Sequence, residues 1–201
     1  MTSLARAPVD EDAMAAIFTA ARTHYAWQRR PVPNSLLTSL YEVARLGPTS
    51  ANCSPMRIAY LGSREAKERL LPMLSRGNVG KAASASIVAI IAQDLNYLDR
   101  LPSLFPVAYD ARSWFTATTT SAADHGLRNT MLQAAYFIIA ARALGLDCGP
   151  MSGFDAAAVD AEFLGGLGWT SMLLVNLGYG SLEAVEPRRP RLSAAEACRF
   201  L

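Results

Sequence analysis

The run SIVAIIA (residues 86–92) constrains the fold more than any other part of the chain. Four of its seven residues are β-branched, and no polar residue alternates with the apolar ones after Ser86. Such a run is typical of a strand that is buried on both faces. A strand of this kind needs helices on each side of its sheet. The chain is therefore predicted to be an α+β sandwich, with a central antiparallel or mixed sheet covered by helices.

The rest of the chain interleaves helical and extended patterns. Helices are predicted over 11–23, from Asn34 to Gly47, and over 63–74, 122–144 and 155–163, and strands over 56–62 and 171–180. SAAE (193–196) is a capping-box pattern that predicts a C-terminal helix. Residues 95–120 show no regular pattern. Without repeats or linkers, residues 1–201 are expected to form one domain, with a tail from about 187 that packs on a partner subunit.

Composition excludes several classes of function. The net charge of +2 gives no nucleic-acid footprint, and the 51% hydrophobic content suits a sizeable core. Three cysteines without a CxxC pair argue against zinc or dithiol chemistry and favour a reducing cytoplasm. The N-terminus lacks the apolar core of a secretory signal. The apolar stretch 131–146 has 16 residues and includes a glutamine and an arginine, which favours a buried helix over a membrane span.

Side chains that carry chemistry by themselves are scarce. The chain has only two histidines, and it has neither a GxGxxG nor a GxxxxGK[ST] motif. No Ser/His/Asp arrangement or metal-ligand set can be read from the sequence. If the protein is an enzyme, a bound cofactor is expected to supply the chemistry.

Five segments, taken in order, resemble the flavin-dependent nitroreductase family. They are ARTHYAWQRRPVP (21–33), GPTSANCSP (47–55), GNVGKAASASIVAII (77–91), GLDCGPMSGFDAAAVDAEF (145–163) and PRRPRLS (187–193). The resemblance implies a nitroreductase-type sandwich and a homodimer with FMN at its interface. Because the 122–144 helix is apolar around most of its circumference, we expect it to form the core of that dimer. It also implies ping-pong hydride transfer from NADPH or NADH through FMN N5 to a small molecule.

The resemblance assigns cofactor contacts to particular residues. Arginines would bind the phosphate, the 47–55 segment would lie against the flavin ring and ribityl chain, and Lys81 would stabilise the reduced, anionic flavin. Backbone N–H groups of Ser152 and Gly153 would point at N5. The full set is Arg22, Thr23, Pro48, Thr49, Ser50, Asn52, Asn78, Lys81, Pro150, Met151, Ser152, Gly153, Arg189 and Arg191.

Four positions raise questions of their own. Thr23 stands where the family usually has serine, Tyr25 where it often has a second basic residue, and Ser54 where glutamine is common. Cys53 lies within the same loop and is either a small packing residue or a thiol with a chemical role.

The strings LPSLFP (101–106) and DARSWF (110–115) are closest to the malonic semialdehyde reductases of pyrimidine catabolism, a subgroup that forms 3-hydroxypropanoate. On this interpretation Arg112 binds the substrate carboxylate, with Arg57 as the reserve candidate. Trp114 and Phe115 form either an aromatic lid over the substrate or part of the core. Two alternatives stay open: a broad nitro or quinone reductase, and a non-catalytic flavin-binding protein.

Overall fold

The computed structural model describes residues 7–108, 110–116 and 121–201, and its centre is a four-stranded sheet. The strands are β1 (Met56–Leu61), β2 (Ile87–Asp94), β3 (Asp147–Met151) and β4 (Trp169–Gly178). Their order is β1-β2-β4-β3, and every neighbouring pair is antiparallel. All eight residues of β2 are buried, so the strand predicted to be covered on both faces is confirmed.

Helices cover both faces of this sheet. They are α1 (Glu11–Met14), which continues as a π-helix over Ala15–Thr19, α2 (Asn34–Ala44), α3 (Arg64–Leu70), α4 (Arg76–Ser84), α5 (Leu101–Leu104), α6 (Ser113–Thr116), α7 (Ala122–Ala143), α8 (Ala156–Phe163) and α9 (Ala194–Ala197). Short 3₁₀ turns occur at Ser50–Asn52, Leu71–Met73, Tyr97–Arg100 and Leu182–Ala184.

The side chains of β2 alternate between two cores, as the pleat of a strand requires. Ile87, Ala89 and Ile91 pack in one core with residues of α2 and α7. Val88 and Ile90 belong to the opposite core, with residues of α3, α4 and α8. A smaller third cluster lies beneath the segment that carries α5 and α6. The sheet is thus the middle layer of a sandwich, which confirms the predicted fold class.

Several predicted boundaries shift in the structure. The first helix ends as a π-helix at Thr19 rather than at residue 23. Helix α2 begins at Asn34 as predicted but ends at Ala44 rather than at Gly47. The capping box predicted at Ser193 is confirmed. Helices α5 and α6 lie in residues 95–120, where no regular element was predicted. Two further elements, α4 and β3, also have no counterpart in the sequence prediction. Their sequences, RGNVGKAAS and DCGPM, contain glycine and proline, which usually interrupt regular structure.

Some expectations concern parts of the chain that the structure covers incompletely. The expectation that the N-terminus carries no secretory signal rests partly on residues 1–6, which lie outside the described residues. No described helix is long and apolar enough to cross a membrane. Within the described ranges, no group of three His, Cys, Asp or Glu side chains is arranged to hold a metal ion.

The end of α7 depends on Gly145, whose φ is +77°. The Gly145 N–H donates to the Arg142 carbonyl at 3.0 Å, and the Leu146 N–H donates to the Ala141 carbonyl at 2.9 Å. A left-handed glycine that lets the last carbonyls find donors is a common way to end a helix. Open space surrounds the position where a Gly145 Cβ would lie, so a substitution there would strain only the backbone.

Replacement of Gly145 by alanine should destabilise the protein by about 1 kcal/mol, because a residue with a Cβ disfavours positive φ. The matched control is Gly80→Ala within α4, where a Cβ also meets open space but no positive φ is required. That change should stabilise the protein by about 0.5–1 kcal/mol. Urea unfolding of both variants provides the measurement, and shifts of the same sign would contradict this account of α7.

Candidate functional site

Five arginines line a cleft of about 320 Å³ between the end of the first helix and the C-terminal tail. We call it the basic cleft; it is lined by Phe18, Ala21, Arg22, Thr23, Tyr25, Arg142, Glu186, Pro187, Arg188, Arg189 and Arg191. The sequence predicted that three of these arginines meet, and the fold brings them together within one chain. The other two, at positions 142 and 188, were not predicted.

Short contacts hold the phosphate candidates in the basic cleft. Arg22 donates to the Glu186 carbonyl, and Arg189 pairs with the Glu186 carboxylate at 2.8 Å. Arg191 donates to the carbonyls of Arg189 and Pro190 at 2.9 and 3.0 Å. Five guanidinium groups face a single carboxylate in the lining, so the basic cleft is strongly positive. Planar guanidinium forks of this kind suit a phosphate dianion.

The segment that carries Arg22 is fixed to the edge of the sheet. Thr23 forms a parallel bridge with Cys148, and the His24 N–H donates to the Cys148 carbonyl at 3.2 Å. The His24 imidazole is buried and lies 3.3 Å from the Asp147 carboxylate. These contacts place Thr23 at the β3 edge of the sheet, next to the basic cleft.

A second group of side chains continues from the basic cleft along this edge. The Lys81 ammonium lies 4.2 Å from the centre of the Tyr25 ring and 3.3 Å from the Asn78 side-chain oxygen. The Asn78 amide donates to the Gly153 carbonyl at 3.0 Å, and the Ser75 N–H donates to the same carbonyl at 3.0 Å. We call the basic cleft together with Thr23, Asn78, Lys81, Ser152 and Gly153 the cradle.

Gly153 leaves room that no other residue would leave. A Cβ at this position would lie 2.9 Å from both the Asn78 amide nitrogen and the Ser75 hydroxyl. No acceptor for the Gly153 N–H is found among the described residues, so this donor is open to a ligand. Pro150 lies within β3, and the Met151 side chain is buried in the core. The Met151 side chain is therefore not exposed to a ligand in this chain.

The segment GPTSANCSP, residues 47–55, is a strained turn that we call the Pro48 loop. Ala51, Asn52 and Ser54 have φ of +46°, +51° and +40°. Non-glycine residues rarely adopt this left-handed region, and they remain there only when surrounding contacts hold them. The Ser54 N–H donates to the Thr49 hydroxyl at 3.2 Å, which closes the turn internally.

Polar contacts from α7 and α5 hold the Pro48 loop in place. The Ser50 N–H donates to the side-chain oxygen of Asn129 at 2.8 Å, and the Tyr136 hydroxyl donates to the Pro48 carbonyl at 3.1 Å. The Asn52 amide donates to the Leu104 carbonyl at 2.8 Å. The Asn52 side chain predicted to contact the flavin is thus used within the chain, whereas the Ser50 side chain is exposed.

The cradle and the Pro48 loop lie in different places on the chain. The loop leads into β1 and packs on α7, whereas Asn78 and Lys81 lie on α4, on the opposite face of the sheet. Strands β1 and β3 form opposite edges, about 14 Å apart at the usual spacing between strands. The sequence predicted these residues as parts of one site, but within one chain the sheet separates them.

The predicted substrate residues lie outside the cradle. Arg112 is 62% exposed, pairs with Asp99 at 2.6 Å, and lines a cleft that shares no residue with the basic cleft. Phe115 is 3% exposed, so its place is in the core rather than in a lid. Trp114 is half exposed and packs edge-on against Phe105.

The guanidinium of the reserve candidate, Arg57, is already bonded to other groups of the chain. Its guanidinium contacts the buried Asp94 carboxylate at 2.6 Å and donates to the carbonyls of Ser54 and Met56 at 3.0 and 2.9 Å. These bonds join the end of the Pro48 loop to β1 and β2. Arg57 therefore acts on the shape of the loop in this structure.

Comparisons with known proteins agree on one family. The model of the nitroreductase family matches residues 18–179. A protein of Stutzerimonas stutzeri (strain A1501), provisionally named NADH dehydrogenase/NAD(P)H nitroreductase, is 50% identical over 192 residues, which is 96% of this chain and 97% of that protein. This level of similarity extends beyond a shared fold.

Solved structures show the same fold at low identity. The Bacillus subtilis protein ydfN, provisionally described as a nitroreductase, superposes with a TM-score of 0.86 at 20% identity over 96% of this chain and all of that chain. A protein of Exiguobacterium sibiricum, also provisionally described as a nitroreductase and solved in complex with FMN, gives 0.83 at 20% identity over 98% of this chain and all of that chain. Both confirm the predicted nitroreductase-type fold.

The thiol in the Pro48 loop belongs to the core. Cys53 is fully buried among Tyr97, Leu101 and Phe115, and burial raises its pKa to about 11. Burial also raises the pKa of the Cys148 thiol to about 12. Because the thiolate is the reactive species, both groups are poor nucleophiles at neutral pH. The packing interpretation of Cys53 therefore agrees with the structure.

Native protein should release about one thionitrobenzoate per chain from Ellman's reagent at pH 8, and the reacting thiol should be the exposed Cys198. The value should rise to about three per chain in guanidinium chloride, where burial no longer protects Cys53 and Cys148. A Cys198→Ser variant is the control and should show almost no reaction in the native state. Rapid native reaction of Cys53 would reopen a chemical role for it.

Proposed function

Because the chain belongs to the nitroreductase family, we propose that it is an FMN-dependent NAD(P)H oxidoreductase that reduces a neutral acceptor such as a quinone or a nitroaromatic compound. The observation that carries this proposal is the cradle, in which one line of groups runs from the five arginines through Lys81 to Gly153. The FMN bound in the Exiguobacterium relative and the NAD(P)H in the name of the Stutzerimonas relative support it.

The residues of the cradle fit FMN in their chemistry. Arg22, Arg189 and Arg191 offer a phosphate two or more charged donors. Asn78 and Lys81 offer an amide and a cation to the polar edge of a ring. Gly153 offers an open N–H and no side chain to block a close approach.

The chain would contribute position and charge rather than a nucleophile. When bound, FMN would supply the hydride-transfer chemistry between NAD(P)H and the acceptor. The Lys81 ammonium would stabilise negative charge at its end of the cradle, and it is held for this purpose between Asn78 and Tyr25. Since the His24 imidazole is buried against Asp147, solvent is the natural source of the proton that completes acceptor reduction.

A homodimer follows from the separation of the Pro48 loop and the cradle. A ring held by Lys81 and Gly153 cannot also meet the loop of its own chain, because the sheet lies between them. A second copy would supply its own loop to complete the site. The apolar side chains Leu127, Met131 and Leu132 of α7 are each about 40% exposed, and they provide a surface for this contact.

We expect the FMN-loaded protein to sediment as a dimer at micromolar concentration, because each site needs two chains. A charge placed in the exposed apolar stripe, Met131→Asp, should dissociate the dimer and release FMN together. Arg128→Asp, at a neighbouring exposed position on α7, is the charge control. A stable monomer that retains FMN would contradict this arrangement.

The phosphate role of the arginines predicts a difference between two ligands. Arg191→Glu should weaken FMN binding roughly ten- to a hundred-fold, because a charged hydrogen bond to phosphate is lost. Binding of riboflavin, which has no phosphate, should change by less than about threefold, within the free-energy range of ordinary surface substitutions. Fluorescence quenching measures both affinities, with Arg199→Glu in the same tail as the control. Equal losses for both ligands would contradict the phosphate role.

A neutral acceptor is favoured over malonic semialdehyde because two candidate arginines are already ion-paired within the chain. Both cations predicted to bind the substrate carboxylate, Arg112 and Arg57, are paired with aspartates of the chain. An unpaired carboxylate in a site that excludes water is unfavourable. The semialdehyde is the second candidate, and its support is the resemblance of residues 101–106 and 110–115 to that subgroup.

Purified, FMN-loaded protein should oxidise NADPH or NADH with menadione or nitrofurazone at a higher kcat/KM than with malonic semialdehyde. Arg112→Ala should leave all of these rates within about twofold, because its guanidinium is exposed and paired with Asp99. A semialdehyde preference that is lost through a raised KM in Arg112→Ala would establish the second candidate instead. Protein that binds FMN but oxidises neither nicotinamide would be a non-catalytic flavin-binding protein.

A further inference from the structure

The first helix ends with carbonyl groups that no following turn can satisfy, and Arg188 of the tail meets them. One terminal nitrogen of Arg188 lies 2.9 Å from the Thr19 carbonyl and 3.0 Å from the Ala21 carbonyl, with Phe18 further away at 3.4 Å. A cation at the C-terminal end of a helix is stabilised both by these hydrogen bonds and by the helix dipole. Arg188 thus acts as a cap supplied from a remote part of the chain.

A second arginine, from a different element, contacts the same helix end. Arg142, near the end of α7, donates to the Ile17 carbonyl at 3.0 Å. Its Nε is buried and has no partner among the described residues. Carbonyl groups at the end of the first helix therefore accept hydrogen bonds from one guanidinium of α7 and one of the tail. Both groups line the basic cleft.

Arg188 is also what joins the tail to the rest of the molecule. Residues 187–201 are all exposed. Among the described residues, the side-chain bonds of Arg189 and Arg191 reach only Glu186, Arg189 and Pro190. Beyond Glu186, the hydrogen bonds that connect the described tail to the body of the chain are those of Arg188. Without them, the contact of Arg22 with the Glu186 carbonyl, at the start of the tail, would be left to hold Arg189 and Arg191 near Arg22.

We propose that Arg188 is a positioning residue for phosphate binding: it clasps the tail to the carbonyl end of the first helix and thereby holds Arg189 and Arg191 in the basic cleft. This inference rests on the proposed function. In it, Arg188 does not bind the phosphate. Its guanidinium donates to backbone carbonyls at the end of the first helix, whereas the side-chain bonds of Arg189 and Arg191 stay within residues 186–190 of the tail.

The first test compares two flavins on Arg188→Ala. The dissociation constant for FMN should rise about tenfold or more, because the phosphate arginines lose their fixed place. The constant for riboflavin should stay within about threefold of the wild-type value. Arg199→Ala removes the same charge from the same tail but no clasp, and it should bind both flavins normally. Equal losses of both flavins in Arg188→Ala would indicate a general effect on the fold and would overturn the proposal.

The second test needs no flavin. In flavin-free protein, subtilisin should cleave Arg188→Ala between residues 185 and 192 several-fold faster than the wild type or Arg199→Ala, as mass spectrometry of the fragments would show. Arg188→Lys should recover part of both the protection and the FMN affinity, since an ammonium group can also donate to helix carbonyls. Reduced FMN affinity with unchanged cleavage would make Arg188 a direct phosphate ligand and overturn the positioning role. Faster cleavage with unchanged FMN affinity would also overturn it, because a released tail would then bind phosphate as well as a clasped one.

The two proposals fail in different ways. If wild-type protein binds neither FMN nor riboflavin, the proposed function is wrong, while the cleavage experiment still reports on the clasp. If the wild type binds FMN but cleavage and affinity are the same in Arg188→Ala, the clasp is wrong and the proposed function stands.

Discussion

Burial of β2 on both faces is the constraint on which the rest of the structure depends. Each large aliphatic side chain of this strand contributes about 1.5–3 kcal/mol when fully buried, and Val88, Ile90 and Ile91 are completely inaccessible to solvent. Such a strand needs cover on both sides, so α2 and α7 occupy one face and α3, α4 and α8 the other. The residues of the candidate site are therefore also divided between the two faces of the sheet. Lys81 arrives on α4, and the Pro48 loop rests on α7.

The Pro48 loop shows how the surrounding structure sustains local strain. Three left-handed residues cost on the order of 1–3 kcal/mol each. The buried amides Asn129 and Gln133, one turn apart on α7, offset this cost by accepting from the N–H groups of Ser50 and Met56 at 2.8 and 3.0 Å. The exposed Ser50 side chain is thereby fixed on a stiff support, as the proposed contact with a flavin ring requires.

Local sequence patterns predicted much of the fold but little of its long-range arrangement. The apolar run of β2 and the interleaved helical and extended patterns predicted the sandwich, since burial imposes those patterns on the sequence. Neither α4 nor β3 was predicted, because Gly77, Gly80 and Pro150 resemble turn signals. In those elements, contacts from the rest of the fold override the local preference.

The candidate site, too, could be predicted from the sequence only in part. Resemblance to the family placed Arg22, Arg189 and Arg191 together, and the fold brings them into one cleft. Arg188 escaped prediction because its partners are backbone carbonyls, which have no signature in the sequence; only its place in the run PRRPR hinted at a role. The separation of loop and cradle also could not be predicted, since it depends on the order of strands in the sheet.

The central claim is that one flavin site needs the cradle of one chain and the Pro48 loop of another. The most direct test joins a chain with a disabled cradle, Arg22→Glu/Arg191→Glu, to a chain with an obstructed loop, Ser50→Trp, and isolates the mixed dimer by two affinity tags. Each variant alone should bind almost no FMN. The mixed dimer should bind about one FMN, because the intact cradle of one chain meets the intact loop of the other. A mixed dimer that binds none, while wild-type dimers bind FMN fully, would place both halves of the site in one chain and contradict the account.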